Sequence, residues 1–235
     1  MSDIRIEHLF KNYFLKQNNV PVLKGLNLEI KKGQITAIIG KSGCGKTTLL
    51  RLLAGLETPS NGSIQINDKS NLGMVFQEPR LMPWLTVWEN IIFGLKKKTY
   101  TYESIQNLID TVGIHGFEKA YPNQISGGMK QRVAIARVLS YDPSIILMDE
   151  PFASLDYFTR QSMQNELIAI YEKYKKTIIF VTHNIDEALL IGQNIVILKD
   201  GINEKSYDLS HFSYPRDILN NKFAAIKKDI LNNFN

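Results

Sequence analysis

A second cysteine is missing. Cys44 stands alone among 235 residues, so no intramolecular disulfide can form, which agrees with a reducing compartment. Also missing is any apolar run near the ~18 residues that cross a membrane. The opening Met1-Ser2-Asp3-Ile4-Arg5-Ile6-Glu7 alternates polar residues with isoleucine and carries no signal-peptide stretch. Membrane-spanning and secreted classes are therefore set aside. No internal repeat or low-complexity tract interrupts the chain. Charge of one sign is scarce too: 28 basic against 23 acidic residues leave +5. That mild excess suits a protein near an anionic ligand or a membrane as well as a nucleic-acid binder. What is present is an ordinary globular composition, 44% hydrophobic and 22% charged, which excludes disorder, collagen and disulfide scaffolds. A chain of this length buries roughly 70% or more of its unfolded surface without a metal or disulfide staple, as one large domain or two joined lobes.

Hydrophobic periodicity places the elements. Ile4, Ile6, Leu26, Leu28 and Ile30 alternate with polar residues, as in half-buried antiparallel strands. Residues 35–39 form a nearly continuous β-branched run, which suits a strand covered on both faces of a parallel sheet. Residues 74–76, 145–148 and 178–181 repeat that pattern. Helical spacing occupies residues 46–55, 86–113, 128–140 and 159–174, and residues 194–198 run as a late strand into the turn Asp200-Gly201. Alternating strands and helices predict an α/β core with a parallel sheet, preceded by an antiparallel β subdomain. The span 86–140 holds helices without a convincing strand and reads as a helical insertion. Core and β subdomain thus cover about 4–85 and 141–205. The last part, about 206–235, is an Asn- and Lys-rich tail without a motif.

Three segments carry chemistry. Gly40-Lys41-Ser42-Gly43-Cys44-Gly45-Lys46-Thr47, followed by Thr48, fits the phosphate loop G-x-x-x-x-G-K-[ST] between an apolar strand and a helix. Glycines let successive N–H groups face one anion, and the helix start adds its positive dipole end. Lys46 supplies charge to the β- and γ-phosphates, and the Thr47 hydroxyl is a ligand for Mg²⁺. Without its flanking elements the same string would be a glycine-rich turn. Cys44, beside this helix start and near Lys46, is expected to lean toward thiolate and to be reactive. In residues 145–150, four apolar residues run into Asp149 and Glu150, placing two carboxylates at the carboxyl end of a buried strand, where ligands bind in open α/β sheets. Asp149 would hold Mg²⁺ and Glu150 would act as the base on the attacking water; a helix cap is the alternative. Ser126-Gly127-Gly128-Met129-Lys130-Gln131-Arg132 starts another helix, with Ser126 as N-cap and an amide-rich end able to hold a phosphate. Alone, it would be a plain capped helix.

Taken in order, the phosphate loop, Gln77, Ser126-Gly127-Gly128, Asp149-Glu150-Pro151, Ser154-Leu155-Asp156 and His183 resemble the ordered motif set of ABC transporter ATPases over roughly residues 4–205. The resemblance implies a P-loop NTPase fold, ATP and Mg²⁺, and head-to-tail dimers with two ATP sandwiched between phosphate loop and signature of opposite subunits. It implies that Gln77 senses Mg²⁺ and contacts the membrane partner. Asp156 would communicate across the dimer, His183 would contact the γ-phosphate, and Ser126, Gly127, Gly128 and Met129 would act in trans. Tyr13 matches the aromatic that stacks on adenine. Its neighbour Phe14 competes for that role, and a core aromatic is the alternative for either. Two departures stand out: Ile125 replaces the usual leucine, and Met129 occupies a position often held by glutamine. A thioether cannot hydrogen-bond a ribose as an amide can, so altered fine contacts with retained activity are expected.

Residues 75–87, with Gln77, Glu78, Arg80, Pro83 and Trp84, resemble importer subunits of the nitrate, sulfonate and taurine group. This implies a permease partner, a solute-binding protein acting indirectly, a homodimer or a paired ATPase subunit, and a peripheral place on the cytoplasmic face of the membrane. A soluble ABC ATPase acting on DNA or ribosomes is the first alternative. Such proteins usually carry two ATPase units or a long coiled-coil insertion, and neither pattern is here; Lys96-Lys97-Lys98 is too short a run to argue for nucleic acid. An exporter ATPase is the second alternative, disfavoured by the Pro83-Trp84 segment.

Overall fold

The computed structural model describes residues 2–15, 18–67, 72–96, 99–153 and 155–234. Two sheets organise them. Strand β1 (Ser2–Leu15) pairs antiparallel with β2 (Asn18–Lys31) and with β4 (Asn61–Ile66), giving the order β2-β1-β4. Ile4 faces Ile30 and Ile6 faces Leu28 across the first pair; all four are buried, as their alternation predicts.

The second sheet runs β5-β6-β7-β3-β8-β9, from β5 (Leu72–Val75), β6 (Ile145–Asp149), β7 (Thr177–Thr182), β3 (Ile35–Ile39), β8 (Asn194–Lys199) and β9 (Ile202–Asp208). All pairs are parallel except β8 with β9. Its central strands read as continuous apolar runs because alternate residues serve different cores. Ile35, Ala37, Ile39, Ile146, Met148, Ile178 and Phe180 face the apolar cluster built with the helical side. Ile38, Ile145, Leu147, Ile179 and Val181 join the cluster shared with β1, β2 and helix α1 (Lys46–Leu53). Each face removes its own apolar side chains from water, so neither face tolerates polar alternation.

The expected run 86–113 is two helices, α2 (Val87–Ile92) and α3 (Tyr102–Thr111), each started by a threonine capping box at Thr86 and Thr101. They meet α4 (Gly127–Leu139), and α5 (Tyr157–Tyr174) follows β6. Sequence periodicity missed β4, β9, α6 (Ile185–Ile191) and α7 (Asn221–Phe234). The tail is therefore structured: α7 packs on α6 and β8. The buried Arg216 ties the approach to α7 to the body, donating to the carbonyls of Leu189, Gly192, Leu209 and Phe212. No helix among the described residues is long and apolar enough to cross a membrane.

Candidate nucleotide site

Parallel register brings the ends of β3, β6 and β7 to one edge of the sheet, where Gly40, Glu150 and His183 follow them directly. The loop 40–47 turns through Gly43 (φ 82°) and Gly45 (φ 106°), left-handed positions that favour glycine. A Cβ on Gly45 would stand 2.9 Å from Leu23 Cδ2. Lys46 is buried, and its ammonium donates to the carbonyls of Gly40 (2.8 Å) and Lys41 (3.1 Å). The Thr47 hydroxyl donates to Asp149 Oδ1 at 3.1 Å, so the phosphate loop and the acidic strand end are already joined. Burial pushes the Asp149 carboxyl up, the Thr47 hydrogen bond opposes that rise, Glu150 adds to it, and Arg51 and Lys46 oppose it.

Glu150 stands one residue past β6 with φ 43°. Its N–H donates to the Val181 carbonyl at 3.1 Å, and its Oε2 lies 3.2 Å from His183 Nδ1. A cavity of about 230 Å³ is walled by Val22, Ser42, Gly43, Gly45, Lys46, Thr47, Thr48 and Glu150. A second, of about 540 Å³, meets it at Thr47 and is lined by Asp149, Gln77, Arg51, Glu57, Glu78 and Arg80 among others. Seven of the predicted residues thus share one wall system: Ser42, Gly43, Gly45, Lys46, Thr47, Thr48 and Glu150. Asp149 and Gln77 complete it on the other side of Thr47.

Tyr13 is tied to the same helix start. Its hydroxyl donates to Glu57 and lies 3.5 Å from Thr48 Oγ1, and Lys11 Nζ lies 4.9 Å from its ring centroid. Burial pushes its phenol up. Phe14 is 84% exposed. Glu57 was not anticipated; it anchors this corner through Lys11 (3.2 Å) and Arg51 (3.6 Å), and no local spacing would have linked it to Tyr13.

Cys44 corrects an expectation. Its thiol is half-buried against the apolar cluster that holds Leu23 and Leu198, and burial pushes it up despite Lys46 and two backbone hydrogen bonds acting against that rise. The proximity of a helix start does not compensate for desolvation here, so the thiol is not poised as thiolate.

The signature lies elsewhere. Ser126 caps α4 by accepting the Met129 N–H at 3.2 Å, as its sequence predicts. Gly127 faces open space, whereas a Cβ on Gly128 would meet Thr159 Cγ2 at 2.5 Å; the second glycine is needed for α5 to pack on α4. None of the cavities just described is lined by residues 126–129. Asp156 caps α5, accepting the N–H groups of Phe158 and Thr159 at 3.1 Å each, and the Thr159 bonds hold its carboxyl below the usual range. Ser154 lies outside the described residues. In the loop after β5, Gln77, Glu78 and Trp84 are exposed, Trp84 by 70%. Arg80 lies over the Phe76 ring at 3.9 Å, and Arg137 grips the Pro79 and Arg80 carbonyls.

A phosphate loop between a central parallel strand and a helix, joined by a hydroxyl to an acidic strand end, defines a P-loop nucleotide-binding core. Residues 23–153 match the sequence profile of the ABC transporter family. An uncharacterized ABC transporter ATP-binding protein of Methanocaldococcus jannaschii is 44% identical over 97% of this chain and 90% of its own length. An aliphatic sulfonates import ATP-binding protein of Bacillus anthracis is 42% identical over 98% and 95%. A nitrate import ATP-binding protein of Synechocystis is 40% identical over 83% and 77%. Among solved structures, a dimeric ATP-binding cassette in a post-hydrolysis state with ADP and Pi superposes with a TM-score of 0.79 at 32% identity, over 89% of this chain and 100% of that one. A Clostridium perfringens protein that is part of an ABC transporter complex gives 0.80 at 29% identity, over 97% and 95%. The chain belongs to the ABC transporter family, and its core is that family's ATPase unit.

Proposed function

We propose that this chain binds and hydrolyses ATP to drive an ABC importer for a small solute of the nitrate, sulfonate or taurine kind or a related one. The observation that carries the ATPase reading is the Glu150 carboxylate on the wall that Ser42, Gly45, Lys46 and Thr47 complete. Lys46 would exchange its two loop carbonyls for the β- and γ-phosphates, held also by the N–H groups of the loop. Thr47 and Asp149 are hard oxygen donors next to each other, the set that suits Mg²⁺; Gln77 faces the same cavity. Once bound, that ion would neutralise charge on the phosphates. Glu150 would accept the proton of the attacking water, with His183 across from it contacting the γ-phosphate. Tyr13, tethered beside Thr48, is the better adenine platform than the outlying Phe14.

Residues 126–129 line neither of the two cavities described, which favours their acting on the nucleotide of a second subunit, in a head-to-tail homodimer or with a paired ATPase. Asp156 would communicate across that dimer. The permease would dock at the loop after β5, placing the protein peripherally on the cytoplasmic face of the membrane, with a solute-binding protein acting indirectly. The test is ATP-driven solute uptake by vesicles holding the permease and this chain. Arg80→Glu should abolish uptake and co-purification while ATP binding survives; uptake by Arg80→Glu at the wild-type rate would refute this docking surface. No ATP-dependent uptake of any nitrate- or sulfonate-type solute would refute that solute class, and ATP-driven export in place of uptake would refute the importer reading.

A further inference from the structure

Three observations meet behind His183. First, Glu187 is a carboxylate in the opening turn of α6 that is only 5% exposed. Its Oε2 accepts the Thr182 hydroxyl at 2.6 Å, and that hydroxyl accepts the Asn184 N–H at 3.0 Å. The two residues flanking His183 are therefore held by one buried acid. Burial pushes that acid up, and Thr182, Arg160 and His183 act against the rise.

Second, Arg160 lies one turn into α5, with its backbone N–H on the Asp156 carbonyl (2.9 Å) and its guanidinium donating to the Leu155 carbonyl (2.8 Å). It thus grips the loop that presents Asp156. Third, Arg160 Nε is buried and without a hydrogen-bond partner among the described residues, yet it stands 3.8 Å from Glu187 Oε1. A buried donor left unmade beside a buried acceptor is costly. A shift of about 1 Å brings the pair to charge-assisted hydrogen-bond distance.

Resting on the ATPase reading above, we propose that Arg160 and Glu187 form a latch that couples the Leu155–Asp156 loop to the strand end carrying His183. Its closing by about 1 Å fixes the strand end that presents His183, whose Nδ1 already lies 3.2 Å from Glu150 Oε2, for the hydrolysing state. Both are positioning residues, since neither lines the cavities described for the nucleotide. The latch has two arrangements, open and bonded, and the loop and the strand end each bias it, which is the physical requirement for coupling.

The test uses the full chain and MgATP turnover. Arg160→Ala and Glu187→Gln should each lower kcat at least tenfold and leave KM for ATP within about twofold. The double variant should be no slower than the slower single. Singles within about twofold of wild type, effects that multiply in the double, or a parallel loss of ATP binding each overturn the latch. If Arg160→Ala does not fold, Arg160→Lys replaces it: a lysine lacks the rigid fork that sets Nη2 on the Leu155 carbonyl while aiming Nε at Glu187, so the same kcat loss is expected. A second readout needs no turnover. The NMR signals of the His183 ring, identified by their loss in His183→Gln, should move in Arg160→Lys, although no hydrogen bond or ion pair joins Arg160 to His183 among the described residues. Unmoved ring signals overturn the latch. A wild type that does not hydrolyse ATP refutes the ATPase reading instead, and the ring signals still decide the latch.

Discussion

Glu150→Gln separates chemistry from binding. The substitution keeps the side-chain volume and the left-handed backbone (φ 43°) that both residues must share, so the conformational cost at this position is the same in the two proteins. What changes is one negative charge 3.2 Å from His183 Nδ1, at side chains 21% and 63% exposed. A pair this open contributes about 1 kcal/mol at most, so the melting temperature should move by no more than about 4 °C. The glutamine amide has no basicity to accept the proton of the attacking water. Removing a general base costs about 10²–10⁴-fold, equivalent to about 3–5 kcal/mol on the barrier. ATP affinity should survive, because Lys46, Thr47 and the loop amides are untouched. Phosphate release, nucleotide titration and size-exclusion chromatography with MgATP measure the three consequences: slow turnover, retained binding and an accumulated ATP-bound dimer. Unimpaired phosphate release, or loss of binding together with turnover, would refute Glu150 as the base.

Three further outcomes follow from the same geometry. Ser126→Arg should retain ATP binding by the monomer, whose phosphate loop is intact, and should abolish hydrolysis; one competent composite site per heterodimer on mixing with Lys46→Ala is expected, and no rescue at all would show that both motifs serve the same subunit. The half-buried Cys44 thiol, pushed up by burial, should react with maleimide much more slowly in the native chain than in the urea-unfolded chain at equal pH; equal rates would show a reachable thiolate. Tyr214 is half-buried beside Arg216 and its phenol is pushed up to about 12, chiefly by burial. Its folded value lies above the ordinary 10, so the stability it holds below pH 10 is lost as pH rises toward 12. Wild type should therefore fall by about 2–3 kcal/mol relative to Tyr214→Phe across that window in urea titrations; parallel curves would refute it.

The geometry of this site was legible because motif strings fix the backbone. A glycine at 43 and 45 followed by Lys46-Thr47 dictates both the left-handed turn and the helix start, so Thr47 and Asp149, both read as Mg²⁺ ligands, are found 3.1 Å apart. Ser126 as a cap was legible for the same reason. The electrostatics were not. The helix start near Cys44 argued for a thiolate, but how deeply a side chain lies depends on β2 and β8, whose Leu23 and Leu198 share its apolar cluster. Desolvation is a property of the packed surroundings, and local spacing carries no record of it. Glu187 falls between these cases. Asn184-x-x-Glu187 is a helix-start signal that could have revealed α6, while the approach of Arg160 from another helix could not have been read.

The tail shows what the eye for motifs passes over. It is rich in asparagine and lysine, and no chemistry-bearing string occurs in it. Yet Phe223, Ile226 and Ile230 recur at spacings of three and four, the period of one helical face, and Phe223 and Ile230 are buried in the main core. The face was weak by composition and clear by period. What the period could not supply is the anchor. Arg216 is a buried cation whose described hydrogen bonds go to four main-chain carbonyls, and burial alone would disfavour its charge. The Tyr214 and Phe223 rings lie 4.7 and 6.0 Å from its guanidinium carbon, adding attraction on its flat faces. A residue type that sequence reading assigns to the surface thus becomes the point through which α6, the end of β9 and α7 hold one another. The tail is therefore part of the folded unit that carries His183, since α6 begins two residues after that side chain.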